Sequence, residues 1–307
     1  MIDNVRLQVL NKENFENHII KNNVVDLVSP LNTFTGEINE SSKKGKERNL
    51  EVRITPYQAV IFGSLHKYEN LCNGETNHNY NDFSYNQIKE LIPFLTELFD
   101  IENNTSLTNL EMGFNLDLDI SPKLIIDNNV LMYDLKSANK DLKFKGRGDY
   151  KEFQKTDYIL KIYSKSKQYN LKNHLIRVEI KITKKRKLQD LGVFELEDLL
   201  NKEVLLNIFN FLLNEFQKVF IIDDFDNVKI LIKDLEKLNK YTNPNYWIRI
   251  RNEKSYKITK RLENDFKLLI RKYNLGKTKK ELKDKLVLKF SSLMNTNNTD
   301  LDCNSKL

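Results

Sequence analysis

Three short segments alternate strictly between apolar and polar residues, and this period of two constrains the fold more than any other feature. In residues 110–120 the even positions are Leu110, Met112, Phe114, Leu116, Leu118 and Ile120, and the odd ones are Glu111, Gly113, Asn115, Asp117 and Asp119. Successive side chains of a strand point to opposite faces, so this pattern predicts one apolar and one acidic face. In residues 158–165, Tyr158, Leu160 and Ile162 oppose Lys161, Tyr163 and Lys165; in 175–182, Ile176, Val178, Ile180 and Ile182 oppose Arg177, Glu179 and Lys181. Three one-sided strands imply an α+β fold, an antiparallel sheet with helices packed on its apolar face and the other face open. A basic helical C-terminal region follows.

The intervening segments punctuate this plan. Residues 36–49 are polar and predict an exposed loop, so 1–49 is expected to be an arm, or one added strand, ending in that loop. Residues 51–67, rich in β-branched and aromatic side chains and interrupted at Gly63, predict a strand or hairpin. Ser84 and Gln87 have capping-box spacing ahead of Ile88, Leu91, Ile92, Leu95 and Leu98, which predicts an amphipathic helix over 84–99 despite Pro93. A long helical stretch is expected over 193–220. A break near 223–227 separates the main domain, 50–222, from a basic helical region, 223–294. Within that region a helix over 258–273, the turn at Leu275-Gly276 and a Thr278/Glu281 capping box suggest two joined helices. Residues 295–307 read as a disordered tail.

Charge is local. The formal net charge is +7, yet residues 247–289 hold 15 Lys+Arg against 5 Asp+Glu. An excess of +10 in one stretch favours a polyanionic partner there. Trp247, Tyr256 and Tyr273 are interleaved with Arg249, Arg251, Lys254, Lys257, Lys260 and Arg261, a pattern suited to binding DNA backbone with occasional base stacking. The two cysteines, Cys72 and Cys303, support neither a disulfide framework nor a cysteine zinc site. No secretory signal opens the chain and no uncharged run approaches a membrane span, so a cytoplasmic location without membrane contact is expected.

A tyrosine beside lysines, facing the same way as carboxylates on neighbouring strands, suits transesterification of a phosphodiester. Tyr163 is then the nucleophile and Glu111 and Glu179 the leading ligands of a divalent cation, with Asn115, Asp117 or Asp119 supplementing them. Oxygen donors of this kind favour Mg2+ or Mn2+ over zinc. Lys165, Lys167 and Arg177 balance the charge that develops at phosphorus, and Lys161 is a candidate DNA contact. Tyr150, Tyr158 and Tyr169 are rival nucleophiles. A strand tyrosine more commonly packs, and Glu179 equally suits an ion pair with Arg177 or Lys181.

Residues 107–115, 158–169 and 175–181 together resemble the rolling-circle replication initiation factors of plasmids and filamentous phages. That family has a "T-R-x-D-x-A-x-D" strand, a "Y-x-K" strand and an "R-x-E" strand in this order; Gly63-Ser64-Leu65-His66-Lys67-Tyr68 is similar to its early "S-L-x-K" strand. The resemblance spans residues 51–200. It implies that 50–222 is a nicking and strand-transfer domain that cuts one strand at an origin and keeps the 5′ end on a tyrosine. Tyr163 and Lys165 match "Y-x-K", Arg177 and Glu179 match "R-x-E", and Glu111 and Asn115 stand at the two aspartates. Lys167 lies four residues beyond Tyr163; His66 and Lys67, in the segment similar to "S-L-x-K", are candidate DNA contacts, a lone histidine equally suiting a structural role and Lys67 a solvated strand end. Asn115 removes a charge from the metal site, and the His-hydrophobe-His pair of other rolling-circle enzymes is absent. The partners implied are single-stranded DNA or an origin hairpin, a host helicase and a single-strand-binding protein.

Two other readings compete. One is a metal-dependent nuclease in which Glu179-Ile180-Lys181 is an "E-x-K" signature and Asp157 a further ligand. The other is a replication or transcription regulator that binds DNA through the basic helices and catalyses nothing.

Overall fold

The computed structural model describes residues 1–141 and 149–295. The expected tail lies, from residue 296 on, outside the described residues. The chain runs β1 (Ile2–Val9), α1 (Lys12–Lys21), β2 (Lys43–Glu47), β3 (Leu50–Ile54), β4 (Ala59–Ser64), α2 (Leu65–Cys72), α3 (Tyr85–Phe99) and β5 (Thr105–Leu118). It continues through α4 (Pro122–Leu124), β6 (Val130–Tyr133), β7 (Lys140–Asp141), β8 (Tyr150–Gln154), β9 (Tyr158–Ser164), α5 (Lys165–Tyr169), β10 (His174–Ile182) and α6 (Lys185–Gln189). The remainder is α7 (Lys202–Gln217), β11 (Val219–Ile221), α8 (Ile232–Tyr241), α9 (Pro244–Glu253), α10 (Tyr256–Lys272) and α11 (Lys277–Met294). Strands and helices are thus mixed along an antiparallel framework, the expected α+β class.

Contacts divide the chain into two compact units, neither continuous in sequence. The first comprises Met1–Gly113, Ile180–Asn210 and the segment from Phe290. Its strands hydrogen-bond in the order β2-β3-β4-β1-β5, every pair antiparallel. Helices α1, α2 and α3 bury Phe15, Ile19, Leu65, Tyr68, Ile88, Ile92 and Leu95 in its core. The predicted capping box is present: the Ser84 hydroxyl accepts from the Gln87 backbone N–H, and the Gln87 side chain accepts from the Ser84 N–H. Pro93 is tolerated because it lies on the exposed side of α3.

The second unit comprises Phe114–Glu179 and Phe211–Lys289. Its strands follow the order β5-β10-β9-β8-β7, and a separate ribbon pairs β11 with β6. Against that ribbon α8, α9 and α10 bury Leu238, Tyr241, Trp247, Phe266 and Leu269. Trp247 is fully buried and its indole N–H donates to the Tyr241 carbonyl at 2.7 Å.

Several expectations are corrected. The stretch before residue 50 is no arm: β1 is an interior strand between β4 and β5, and Lys43–Glu47 of the expected loop pairs with β3. Gly45 allows this, since a Cβ there would sit 2.5 Å from the Asp26 carbonyl oxygen. The compact units divide at other points of the chain than residues 49 and 222. Strand β5 ends at Leu118, leaving Ile120 half exposed. Its polar side is not open either, because Glu111 and Asn115 are both buried. The helix expected over 193–220 is confined to α7, because Val219–Ile221 joins the ribbon. Leu65 to Lys67 open α2 instead of continuing a strand, since Ser64 accepts from the Lys67 N–H as an N-cap. Trp247 is core, not a stacking platform.

Thr278 lies inside α11, so it is not the cap of that helix. Asp223 does the work instead: its carboxylate accepts from the backbone N–H groups of Lys277 at 2.7 Å and Thr278 at 3.2 Å. A charged cap at a helix N-terminus also complements its dipole. Replacing Asp223 by Ala is expected to cost about 1 kcal/mol, read as a lower thermal midpoint, with Asp223→Asn recovering most of the loss.

Candidate active site

Within the second unit, β9 delivers its last side chains into a helix start. Ser164 ends the strand and caps α5, accepting from the Lys167 N–H at 3.2 Å. This fixes Tyr163 as the penultimate strand residue and makes Lys165 the first residue of the helix. Lys165 has no exposed surface; its ammonium lies 3.5 Å from the Tyr163 hydroxyl and 5.3 Å from the centroids of both the Tyr163 and Tyr169 rings. Tyr163 faces Tyr150 across the β8–β9 pair, with the rings 5.7 Å apart. Lys167 is exposed.

The hydroxyl of Tyr163 also donates to Glu179 Oε2 at 3.3 Å. Glu179 accepts from Arg177 Nε at 2.7 Å and from Lys161 Nζ at 2.8 Å, and both Glu179 and Arg177 are 2 % exposed. Burial alone pushes the Glu179 carboxyl up, but the charges of Lys161 and Arg177 and their hydrogen bonds overcome this and hold it far below the usual range. Arg177 continues to Asn115, donating through Nη1 to Oδ1 at 3.0 Å. Asn115 therefore turns its oxygen toward a guanidinium.

Among its described residues the first unit holds two buried acids. Glu111 accepts from Asn4 Nδ2 at 2.8 Å and from Lys181 Nζ at 2.7 Å. Asp3 accepts from the Ser64 hydroxyl and the Asn79 amide. Each presents a carboxylate oxygen within 4.8 Å of the other. Sequence reasoning missed Asp3, because a single aspartate near the start of β1 carries no spacing signal.

A second tyrosine cluster surrounds Glu215 in the second unit. Tyr133 and Tyr158 both donate to Glu215 Oε2, Tyr158 at 2.7 Å, and Lys218 Nζ meets Oε1 at 2.7 Å. Burial and this carboxylate drive the Tyr158 hydroxyl well above the ordinary phenol range. Glu215 itself is raised by burial, but the bonds from Lys218, Tyr133 and Tyr158 bring it below the usual range.

The remaining candidates scatter. His66 is 2 % exposed, stacked on Phe83 and hydrogen-bonded to Asn81 at 2.7 Å, while Lys67 is half buried on α2. Arg249, Lys254, Lys257, Lys260 and Arg261 are exposed on α9, α10 and the turn between them, with Tyr256 81 % exposed among them. Arg251 is half buried and donates to the Asp134 carbonyl. Among the described residues no helix is long and apolar enough to cross a membrane.

No protein-family model matches the chain, and no curated protein matches it significantly in sequence. Among solved structures, the rolling circle replication initiator protein from Geobacillus stearothermophilus is similar, with a TM-score of 0.41 and 11% identity over 75% of this chain and 88% of that one.

Replacing Glu179 by Gln should remove the charge that meets the buried Arg177 and the half-buried Lys161, at a cost of about 3–5 kcal/mol near neutral pH. A carboxyl whose folded pKa is depressed stabilises fully above its unfolded pKa, about 4.3, and loses this as pH falls. Urea midpoints for wild type and E179Q are therefore expected to differ widely at pH 7 and to begin to approach each other only below pH ~4, the gap closing progressively in stronger acid.

Proposed function

We propose that this chain is a DNA nicking and joining enzyme that initiates rolling-circle replication, with Tyr163 as its nucleophile. The observation that carries this reading is the Tyr163 hydroxyl placed between the buried ammonium of Lys165 and a carboxylate, Glu179, already neutralised by Arg177 and Lys161. In the step proposed, the phenol oxygen attacks phosphorus and its proton passes to water. The bond from phosphorus to the 3′ oxygen breaks, and that oxygen is protonated by solvent as the 5′ phosphate remains on the tyrosine. Glu179 orients the hydroxyl but is too weak a base to keep its proton. Lys165 favours the phenolate, and Lys161 and Arg177 offset the charge gathering on the phosphorane.

A divalent cation of the magnesium or manganese kind, when bound, polarises the non-bridging phosphate oxygens. Within the first unit the donor chemistry of Asp3 and Glu111 fits such an ion: both are buried hard oxygen donors, Asp3 held by Ser64 and Asn79 and Glu111 by Asn4 and Lys181. Glu179 joins the catalytic set as the acceptor for Tyr163. The exposed cations Arg249, Lys254, Lys257, Lys260 and Arg261, with Tyr256, are proposed to hold the DNA backbone.

The test is incubation with labelled single-stranded DNA from the protein's own replicon and Mn2+, followed by a denaturing gel. A detergent-resistant adduct mapping to Tyr163 is expected, absent in Tyr163→Phe and retained in Tyr158→Phe. Lys165→Met should slow adduct formation about 100-fold while leaving DNA binding in place. An adduct that persists in Tyr163→Phe, or cleavage with no adduct at all, overturns the reading; the second outcome returns the Glu179-Ile180-Lys181 nuclease.

A further inference from the structure

A pocket of about 630 Å3 lies wholly within the second unit, where the end of α7, β11, α10 and the start of α11 come together. Its size is that of a site for a small organic ligand, for which about 300–1,000 Å3 is usual. Phe220, Ile221 and Ile270 give it an apolar wall, and Lys267, Arg271 and Lys279 line it with positive charge.

The charges around it do not cancel. Of the acids at its rim, Glu263 pairs with Lys260 at 2.9 Å and also with Lys267, and Asp134 lies 3.6 Å from Lys155. Lys218, also at the rim, is taken by Glu215 at 2.7 Å. Among the described residues no carboxylate pairs with Arg271 or Lys279. The Lys279 ammonium is fixed by two backbone carbonyls, Gln217 at 2.7 Å and Val219 at 2.6 Å, which leaves one of its three N–H groups for a ligand. Burial, with Lys267 and Lys283 nearby, pulls this amine down to about 8. A fixed, poorly solvated cation among like charges needs an anion to complete it.

We propose that this pocket binds a free nucleoside phosphate, its phosphates on Lys279 and Arg271 and its base and sugar against Phe220, Ile221 and Ile270. A bare inorganic anion would satisfy the two cations but leave most of the volume and the apolar wall unused. The site goes beyond the strand-transfer reading, since none of these residues belongs to the Tyr163 cluster.

The experiment is calorimetric titration of the full chain with ADP, inorganic phosphate and a single-stranded oligonucleotide, each alone and in competition. ADP is expected to bind saturably at one site, with inorganic phosphate competing weakly. Arg271→Ala and Lys279→Met should each weaken ADP at least tenfold, and Lys279→Arg should retain it. Because Lys279 tethers two carbonyls, its Met variant is checked by thermal melting; Arg271 is exposed, so its Ala variant carries the test alone if the other fails to fold. An anion favours protonated Lys279, so ADP affinity should fall as pH rises from 7 to 9 in the wild type and stay flat in Lys279→Arg. Absence of saturable ADP binding up to 1 mM, or binding unchanged in Arg271→Ala, overturns the proposal. So does phosphate binding as tightly as ADP, or displacement of ADP by the oligonucleotide, which makes the pocket part of a strand path.

Discussion

The second unit depends on one buried carboxylate. Glu179 lies under two cations, Arg177 on its own strand and Lys161 on β9, with the Tyr163 hydroxyl as a further donor. Taking such ions out of water costs several kcal/mol each, and their attraction offsets that only when the geometry closes. Here it closes through side chains on neighbouring strands, so the ion cluster also fixes how β9 and β10 register. A slip of one residue would send every member to the opposite face. Apolar replacements could make the unit as stable; they could not hold a hydroxyl between opposite charges.

A serine at the end of a strand recurs as the device that places polar groups. Ser64 closes β4 and caps α2; Ser164 closes β9 and caps α5. In each case the hydroxyl takes a helix N–H and the chain turns from a period of two to one of 3.6 within a residue. Ser64 thereby also reaches Asp3, and Ser164 sets Lys165 at the first position of a helix. A lysine there opposes the helix dipole, and its complete burial adds a desolvation cost.

Alternation made the core strands legible. Leu110, Met112, Phe114, Leu160, Ile162, Ile176, Val178 and Ile180 are all buried, and Glu111, Tyr163, Arg177 and Glu179 stand on strands as their parity requires. What alternation cannot express is whether a strand's polar side is covered, so Glu111 and Asn115 read as open although both are buried. Composition failed differently. The run from Lys43 to Glu47 looks like a loop because edge strands carry charge, and Trp247 looks like a stacking residue because basic neighbours surround the core position it fills. Asp3 and Asp223 were invisible for a third reason: their partners lie far off in sequence, Asn79 for one and Lys277 for the other.

Tyr158 and Tyr163 sit five residues apart on one strand, which puts them on opposite faces, each with its own glutamate. The difference between them is electrical. Glu215 has one lysine, Lys218, and shares its remaining oxygen between two phenols, so removing a proton from Tyr158 would place a second negative charge beside the first. That hydroxyl is accordingly held protonated. Glu179 has two cations of its own, and the Lys165 ammonium lies beside the Tyr163 oxygen. Two tyrosines of the same type on the same strand thus meet different electrical surroundings, set by the cations around their acids.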